Sequence, residues 1–306
     1  MKKIFKPLFW EKKNHPFSFI LYPITFIYFL LTLLNKTKIF FAPNLKIKVI
    51  CVGNIYLGGG GKTPLVKKIY ESLKKKNKCC IIKKFRISQM DEIKFLKKDS
   101  EIITPKNRLQ GLKEAELKGY STAILDDGMQ DYSFKKNISI LCIKSNKKFG
   151  NNNILPSGPL RESLKNIKNY NIAVINGKED KNLDNFVIKH NPKIKIFNSY
   201  YKIKNIETLK NLKFLAFSGI ADNNSFFELL NNNNLNIIDT IEFKDHHNFS
   251  ENDLQSLLKE SSNLNASLIT TEKNYSNINE KFQKNIYYTE LDLIIKNYEK
   301  FLNEIN

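Results

Sequence analysis

Two short segments carry side chains whose types and spacing suit phosphate chemistry. The first runs Gly53-Asn54-Ile55-Tyr56-Leu57-Gly58-Gly59-Gly60-Gly61-Lys62-Thr63-Pro64. Glycines in such a run let backbone N–H groups turn onto phosphate oxygens. Lys62 can then reach the β- and γ-phosphates, and Thr63 can present a hydroxyl to Mg²⁺. Tyr56 stands where the common GxxxxGK[ST] pattern has its first glycine, so the match is incomplete. The second segment is Asp126-Asp127-Gly128, which ends the apolar run Thr122-Ala123-Ile124-Leu125. A carboxylate at the carboxyl end of such a strand holds or orients Mg²⁺ in phosphoryl-transfer enzymes. Two adjacent aspartates suggest separate tasks, one toward the metal and one toward the nucleophile or a second ligand. The order of the two is open at this level. Alone, either segment could be an ordinary turn; together they point to a nucleotide site.

These residues need a scaffold, and the flanking pattern supplies one. Leu45 to Cys51 alternates and then runs apolar, as a strand entering a buried sheet does, and Leu65 to Lys76 is amphipathic. Strand, glycine loop and helix therefore follow in the order a phosphate-binding loop requires. Strand-like runs lie at about 47–52, 79–83, 122–125, 138–143 and 172–175 and alternate with helical patterns. Later runs at 194–197, 213–217, 236–241 and 267–270, with helical stretches at 225–231 and 251–260, suggest a smaller unit. The expected fold class is α/β, a P-loop NTPase-like, mainly parallel sheet flanked by helices, with a second smaller α/β domain and an N-terminal hydrophobic membrane-anchoring helix. The expected domains are 1–40, membrane-associated; 41–178, nucleotide-binding; and 179–306, the smaller C-terminal domain. Leu291 to Asn306 reads as a helix that packs back on either domain.

The chain has 306 residues, 42% of them hydrophobic, and a net charge of +20. That length and composition exclude a mini-protein and a globally disordered chain. A basic balance first suggests nucleic acid, a membrane surface or an anionic substrate. Only Arg86, Arg108 and Arg161 are arginine among fifty basic residues, and asparagine runs are common, so much of the lysine excess is compositional background. The same background marks each arginine, because lysine cannot copy a bidentate guanidinium. Nucleic-acid binding is not expected, for lack of aromatic–basic interleaving or a helix-turn-helix signal. Cys51, Cys79, Cys80 and Cys142 lie in apolar runs without a CxxC, as buried reduced thiols do.

Pro16 to Leu34 is an uncharged stretch, PFSFILYPITFIYFLLTLL. As a helix it would be roughly 28 Å long, the lower edge of what spans a bilayer. Pro23 interrupts it and lysines flank both ends. Cytoplasmic lysine on both sides favours a hairpin-like or interfacial anchor over a single span or a buried core helix.

Beyond these sites the sequence resembles the tetraacyldisaccharide 4'-kinases of lipid A biosynthesis, membrane-associated P-loop kinases of Gram-negative bacteria. The matching segments are VGNIYLGGGGKTP at 52–64, Asp91-Glu92, Arg108, DDGMQDY at 126–132, FGNNNILPSGPLRE at 149–162, FSGIADNNSFF at 217–227, DHHNF at 245–249 and TTEKN at 270–274. The LPSGPLRE element is the most specific of them. The resemblance implies transfer of the ATP γ-phosphoryl group to the 4'-hydroxyl of a tetraacylated glucosamine disaccharide 1-phosphate, giving lipid IV-A. ATP and Mg²⁺ are the implied cofactors. The implied partners are that acylated disaccharide and the cytoplasmic leaflet of the inner membrane, met by a monomer.

By resemblance, Lys62 binds and neutralises phosphates within the loop of Gly58, Gly59, Gly60, Gly61, Thr63 and Pro64. Thr63 with Asp126 or Asp127 holds the metal, and Asp127 counts among the catalytic residues. Asp91 forms a dyad with His246, or with His247 as the alternate; a carboxylate that orients an imidazole is sound base chemistry near neutral pH. Arg108, Arg161 and Glu162 are candidates for contacting the substrate or bracing the loop, with Glu92 and Gln130 beside them. A dyad drawn from both expected domains predicts cleft closure on binding.

Three departures from the family pattern stand out: Asp131 in place of a histidine, Lys83-Lys84-Phe85-Arg86 in place of a Ser-Arg-Gly-Tyr-Gly segment, and Asn274 in place of an aspartate. The rival function is a membrane-associated regulatory NTPase without a lipid substrate.

Overall fold

A computed structural model describes residues 7–58, 60–245 and 247–306. The strands are β1 (Lys48–Gly53), β2 (Cys79–Lys83), β3 (Ile102–Ile103), β4 (Thr122–Asp126), β5 (Ile138–Lys144), β6 (Ile172–Asn176), β7 (Lys195–Ile203), β8 (Lys213–Ser218), β9 (Asn236–Glu242), β10 (Ser267–Thr271), β11 (Ile286–Thr289) and β12 (Leu291–Ile295). Those expected from periodicity form within a residue or two, apart from β7, which runs on to Ile203. The expected C-terminal helix is corrected: Leu291–Ile295 is a strand, and the helix is only Tyr298–Ile305. Buried Leu293 and Ile295 alternate with more exposed neighbours, a strand's period, and Asn297 in the left-handed region separates the two elements.

The chain divides into two compact units. The first comprises residues up to 84, 100–200 and 295–306; the second comprises 85–99 and 201–294. The boundary expected at 178–179 falls inside the first unit, because β7 continues the parallel sheet beside β6. The C-terminal helix also belongs to the first unit. Asp91, expected in the nucleotide-binding domain, belongs to the second.

In the eight-stranded sheet the order is β12-β7-β6-β5-β1-β4-β2-β3, and every pairing from β7 to β3 is parallel. Both faces are covered, as an all-parallel arrangement requires. Val49, Cys51, Ala123, Leu125, Leu141 and Ile143 fill one face, while the alternating Ile50, Val52, Ile124 and Ile140 are equally buried. All four cysteines are buried and free. Burial pushes the thiols of Cys51, Cys80 and Cys142 up to about 12, so they pack as small hydrophobes.

After a short 3-10 turn at Leu8–Glu11, the first unit has two α-helices, α1 (Pro16–Ile20) and α2 (Tyr22–Lys36). Leu21 breaks the run and α2 restarts with Pro23 in its first turn, where a missing N–H costs nothing. No residue of α2 is buried. Its polar groups reach the body of the unit. Thr25 Oγ1 meets Ser157 Oγ at 2.6 Å, Tyr28 Oη donates to the Arg161 carbonyl at 2.9 Å, Asn35 Nδ2 donates to the Gln130 carbonyl at 3.0 Å, and Lys36 Nζ donates to Asn166 Oδ1 at 2.8 Å. Ile20, Ile24, Ile27, Leu31 and Leu34 are exposed, one per turn, and Phe40 and Phe41 follow. Tyr22–Phe41 is long and apolar enough to cross a membrane, by length and composition.

The second unit is a four-stranded parallel sheet, β11-β10-β8-β9. Along β8, Phe214 and Ala216 join one apolar cluster and Leu215 and Phe217 the other, one on each face.

Candidate active site

The phosphate-binding loop leaves β1 and enters α3 (Lys62–Leu73). Gly61, the residue before the helix, has φ +76°, which suits glycine. Within the loop, buried Asn54 donates through Nδ2 to the carbonyls of Tyr56 at 2.5 Å and Gly58 at 3.2 Å, while its Oδ1 accepts from Lys62 Nζ at 3.0 Å. One amide therefore shapes the loop and parks its lysine. Tyr56 needs no glycine's freedom, because it pairs with Leu160 in an antiparallel bridge. Gly59 lies outside the described residues.

The two aspartates separate clearly. Asp126 ends β4, in register with Val52 of β1 and Lys83 of β2. Residues aligned across a parallel sheet share a face, so the ends of these strands bring their side chains together. Thr63 Oγ1 donates to Asp126 Oδ2 at 3.0 Å, and Lys83 Nζ lies 2.6 Å from the same oxygen. Asp126 Oδ1 is buried without a hydrogen-bond partner. Asp127, with φ +60°, turns the other way. Its Oδ1 lies 2.7 Å from Arg161 Nη1 and 3.6 Å from Lys62 Nζ. Burial pushes this carboxyl up, but Lys62, Arg161 and Arg108 overcome it and hold the group well below the usual carboxylate range.

The 149–162 segment delivers Arg161. Asn151 bonds the Ser157 carbonyl and the Asn153 amide, Leu155 and Leu160 close the turn, and Arg161 N donates to the Ile55 carbonyl at 2.8 Å. A side chain at Gly158 would collide with Asn151 and Asn153, so the turn demands glycine there. The family-typical element is thus a rigid bracket pinned to the phosphate-binding loop. Arg108 opens α5 (Arg108–Leu117), with α4 (Met90–Lys97) preceding it in the chain. Arg108 Nη2 donates to the Asp127 carbonyl at 2.6 Å, and its Nη1 lies 3.6 Å from Asp131 Oδ2. Asp131, one of the three departures, thereby gives Arg108 a carboxylate neighbour. The Nε atoms of both arginines are buried and unpartnered.

Glu162 faces inward. It is buried and accepts from Gln130, Asn166 and Tyr170 at 3.0, 2.6 and 3.2 Å. Of the two roles expected for it, these contacts match bracing. Gln130 also donates to the Asn54 carbonyl at 3.2 Å, linking the bracket to the loop.

In the second unit, α4 buries Asp91, Ile93 and Leu96. Asp91 Oδ2 lies 3.0 Å from Lys273 Nζ, and the same ammonium stands 3.7 Å from Glu92 and 3.8 Å from Asp245. Three carboxylates therefore share one lysine of the TTEKN segment. His246 lies outside the described residues. The alternate pairing of Asp91 with His247 is not formed: His247 Nε2 meets Asp253 Oδ2 at 3.0 Å, and its ring packs on Phe243 and Phe249. Asp253 also closes the capping box of helix Glu251–Asn263, which fixes this pair in place. Asn274, another departure, accepts from the Gly219 amide at 2.9 Å and donates to its carbonyl at 3.4 Å. An aspartate could not make that second bond.

Reasoning from residues alone overlooked Asn54, Lys83 and Lys273. Asn54 and Lys273 sit inside quoted motifs, next to the residues that drew attention. Lys83 gave a signal, as a lysine ending a strand otherwise apolar.

Thr63 Oγ1 and Asp126 Oδ1 are hard oxygen donors, and the latter is buried and unsatisfied, so these residues fit Mg²⁺. Among the described residues no group of three or more His, Cys, Asp or Glu could hold a metal.

The sequence profile described as tetraacyldisaccharide-1-P 4'-kinase matches residues 17–83 and 89–306. A tetraacyldisaccharide 4'-kinase of Pelagibacter ubique (strain HTCC1062) is 39% identical over 99% of this chain and 98% of its own length. One from Rickettsia bellii (strain OSU 85-389) is 33% identical over 91% of each chain. Among solved structures, the Aquifex aeolicus LpxK crystal structure in complex with ATP is similar in fold, with TM-score 0.71 and 21% identity, covering 94% of this chain and 98% of that one. With its scaffold, its phosphate-binding loop and these relatives in agreement, the chain belongs to the tetraacyldisaccharide 4'-kinase family.

Proposed function

We propose that this chain transfers the γ-phosphoryl group of ATP to the 4'-hydroxyl of a tetraacylated glucosamine disaccharide 1-phosphate at a membrane surface. The observation that carries the reading is the convergence of Lys62, Thr63, Asp126 and Asp127 at the carboxyl ends of β1 and β4. The P–O bond to the sugar oxygen forms as the bond to the β-phosphate oxygen breaks, and the hydroxyl proton leaves to a base. Catalysis of this kind is mostly positioning and charge stabilisation. Lys62 exchanges Asn54 and Asp127 for phosphate oxygens. Thr63 and Asp126 would hold the metal, and Arg161 and Arg108 supply guanidinium to the transferred or the 1-phosphate group. Mg²⁺, when bound, neutralises charge on the phosphates. Asp91, oriented by Lys273, serves as the carboxylate of the base, with His246 as its proposed imidazole partner.

The outward apolar row of α2 supports an interfacial anchor on the cytoplasmic leaflet. Spanning would strip Thr25, Tyr28, Asn35 and Lys36 of partners along the full helix. In hydrocarbon each lost polar partner costs several kcal/mol.

The test is transfer of label from γ-labelled ATP to tetraacyldisaccharide 1-phosphate in detergent micelles. Wild type should label the lipid, and Asp91→Asn should lose at least about 10²-fold in kcat while still binding ATP. ATP hydrolysis without labelled lipid would overturn the substrate assignment and favour the regulatory NTPase.

A further inference from the structure

Lys83 has no part in the mechanism so far, yet among the described residues it is the one buried lysine, and lysine is almost never buried unless paired. Its ammonium lies 2.6 Å from Asp126 Oδ2, with side-chain exposures of 3% and 0% for the two residues. Thr63 donates to that same oxygen, and Oδ1 is left buried and unpartnered. The β2–β4 register sets Lys83 opposite Asp126, so the contact is built into the sheet and does not depend on a surface rotamer.

We infer that Lys83 is a positioning residue for the metal site, a resident cation that turns Asp126 Oδ2 toward the sheet, leaves Oδ1 for the metal, and keeps the empty site from capturing a divalent cation. This rests on the proposed nucleotide and metal roles of Thr63 and Asp126. The physical argument is electrostatic. Two cations on one carboxylate repel each other strongly at low dielectric, and the Lys83 ammonium already stands 2.6 Å from Oδ2. The metal therefore binds well only when nucleotide phosphates add their negative charge. Without Lys83, a buried carboxylate would be left with an unpaired charge and a high demand for any cation.

The test uses Mn²⁺ alone as the probe, with free ion followed by electron paramagnetic resonance and no nucleotide or lipid present. Lys83→Gln keeps a hydrogen-bond donor without the charge, Lys83→Met removes both, and Lys83→Arg keeps the charge. Lys83→Gln should bind Mn²⁺ at least about tenfold more tightly than wild type, while Lys83→Arg stays at the wild-type value. Lys83→Met should behave like Lys83→Gln; if it fails to fold in a thermal melt, Lys83→Gln gives the reading. Unchanged or weaker Mn²⁺ binding by Lys83→Gln overturns the inference, as does tighter binding by Lys83→Arg. ATP binding by wild type with Mg²⁺ is measured in parallel. Its absence would sink the nucleotide reading itself, whatever the lysine variants do.

Discussion

The helices α2 and α3 belong to the same unit and are built on opposite plans. α3 buries Leu65, Val66, Ile69, Tyr70 and Leu73 and carries Lys62 and Thr63 at its amino end. α2 buries nothing; it turns Thr25, Tyr28, Asn35 and Lys36 inward and its leucines, its isoleucines and Phe26 outward. The first is held by the hydrophobic effect and exposes chemistry. The second is held by a few hydrogen bonds and exposes grease. An apolar row that faces away from the protein is a surface suited to apolar surroundings, which the proposed interfacial anchor would find in a bilayer.

The sharpest test of this contrast removes function from one helix without touching the other. Lys62→Ala should cut lipid phosphorylation by about 10³-fold, since it deletes the charge proposed to neutralise phosphate, while vesicle flotation stays at the wild-type level. A parallel loss of flotation would mean that the two helices are not separable.

Next in size is packing. Ile69→Ala should lower stability by about 2–4 kcal/mol in a urea titration, whereas Ile27→Ala should change it by no more than about 0.5 kcal/mol. Equal destabilisation would place α2 in the core and end the comparison. Membrane affinity should respond in reverse. Ile27→Asp with Leu31→Asp should weaken binding to phosphatidylglycerol-containing vesicles by at least about 30-fold, with the melting temperature unchanged.

The smallest effect concerns charge beside α3. Asp127 titrates in the folded chain below the ordinary aspartate value of about 3.9. Its contribution is therefore complete above that value and is lost as pH falls through the lower folded-state value. The stability difference between wild type and Asp127→Asn, about 1 kcal/mol, should stay level from pH 7 to about pH 5 and narrow only in stronger acid. Narrowing already between pH 7 and 5 would contradict the pairing with Lys62 and Arg161.

Much of the site was legible as local pattern. Gly61-Lys62-Thr63, Asp126-Asp127 and the strand ahead of each announce themselves, because a turn or a strand is specified by residues a few positions apart. Glu162 shows the limit. Its neighbours in sequence leave substrate contact and bracing both open, and its bonds to Gln130, Asn166 and Tyr170 are visible only in the fold. Asp91 shows it again: 182 positions separate it from Lys273, the cation that holds it (273 − 91).

By itself the sequence determined the α/β alternation, the glycine-rich loop that ends in Lys62 and Thr63, the paired aspartates that close a strand, the buried thiols and an apolar amino-terminal segment. Periodicity and turn chemistry are local properties, so they can be read in order along the chain. Only the tertiary structure decided that β2 neighbours β4 and brings Lys83 onto Asp126, that α4 joins the second unit, that His247 serves Asp253, and which face of α2 turns outward. Those outcomes depend on which distant strands and side chains share space. That choice is made by burial and charge pairing over the whole fold, and no local window contains it.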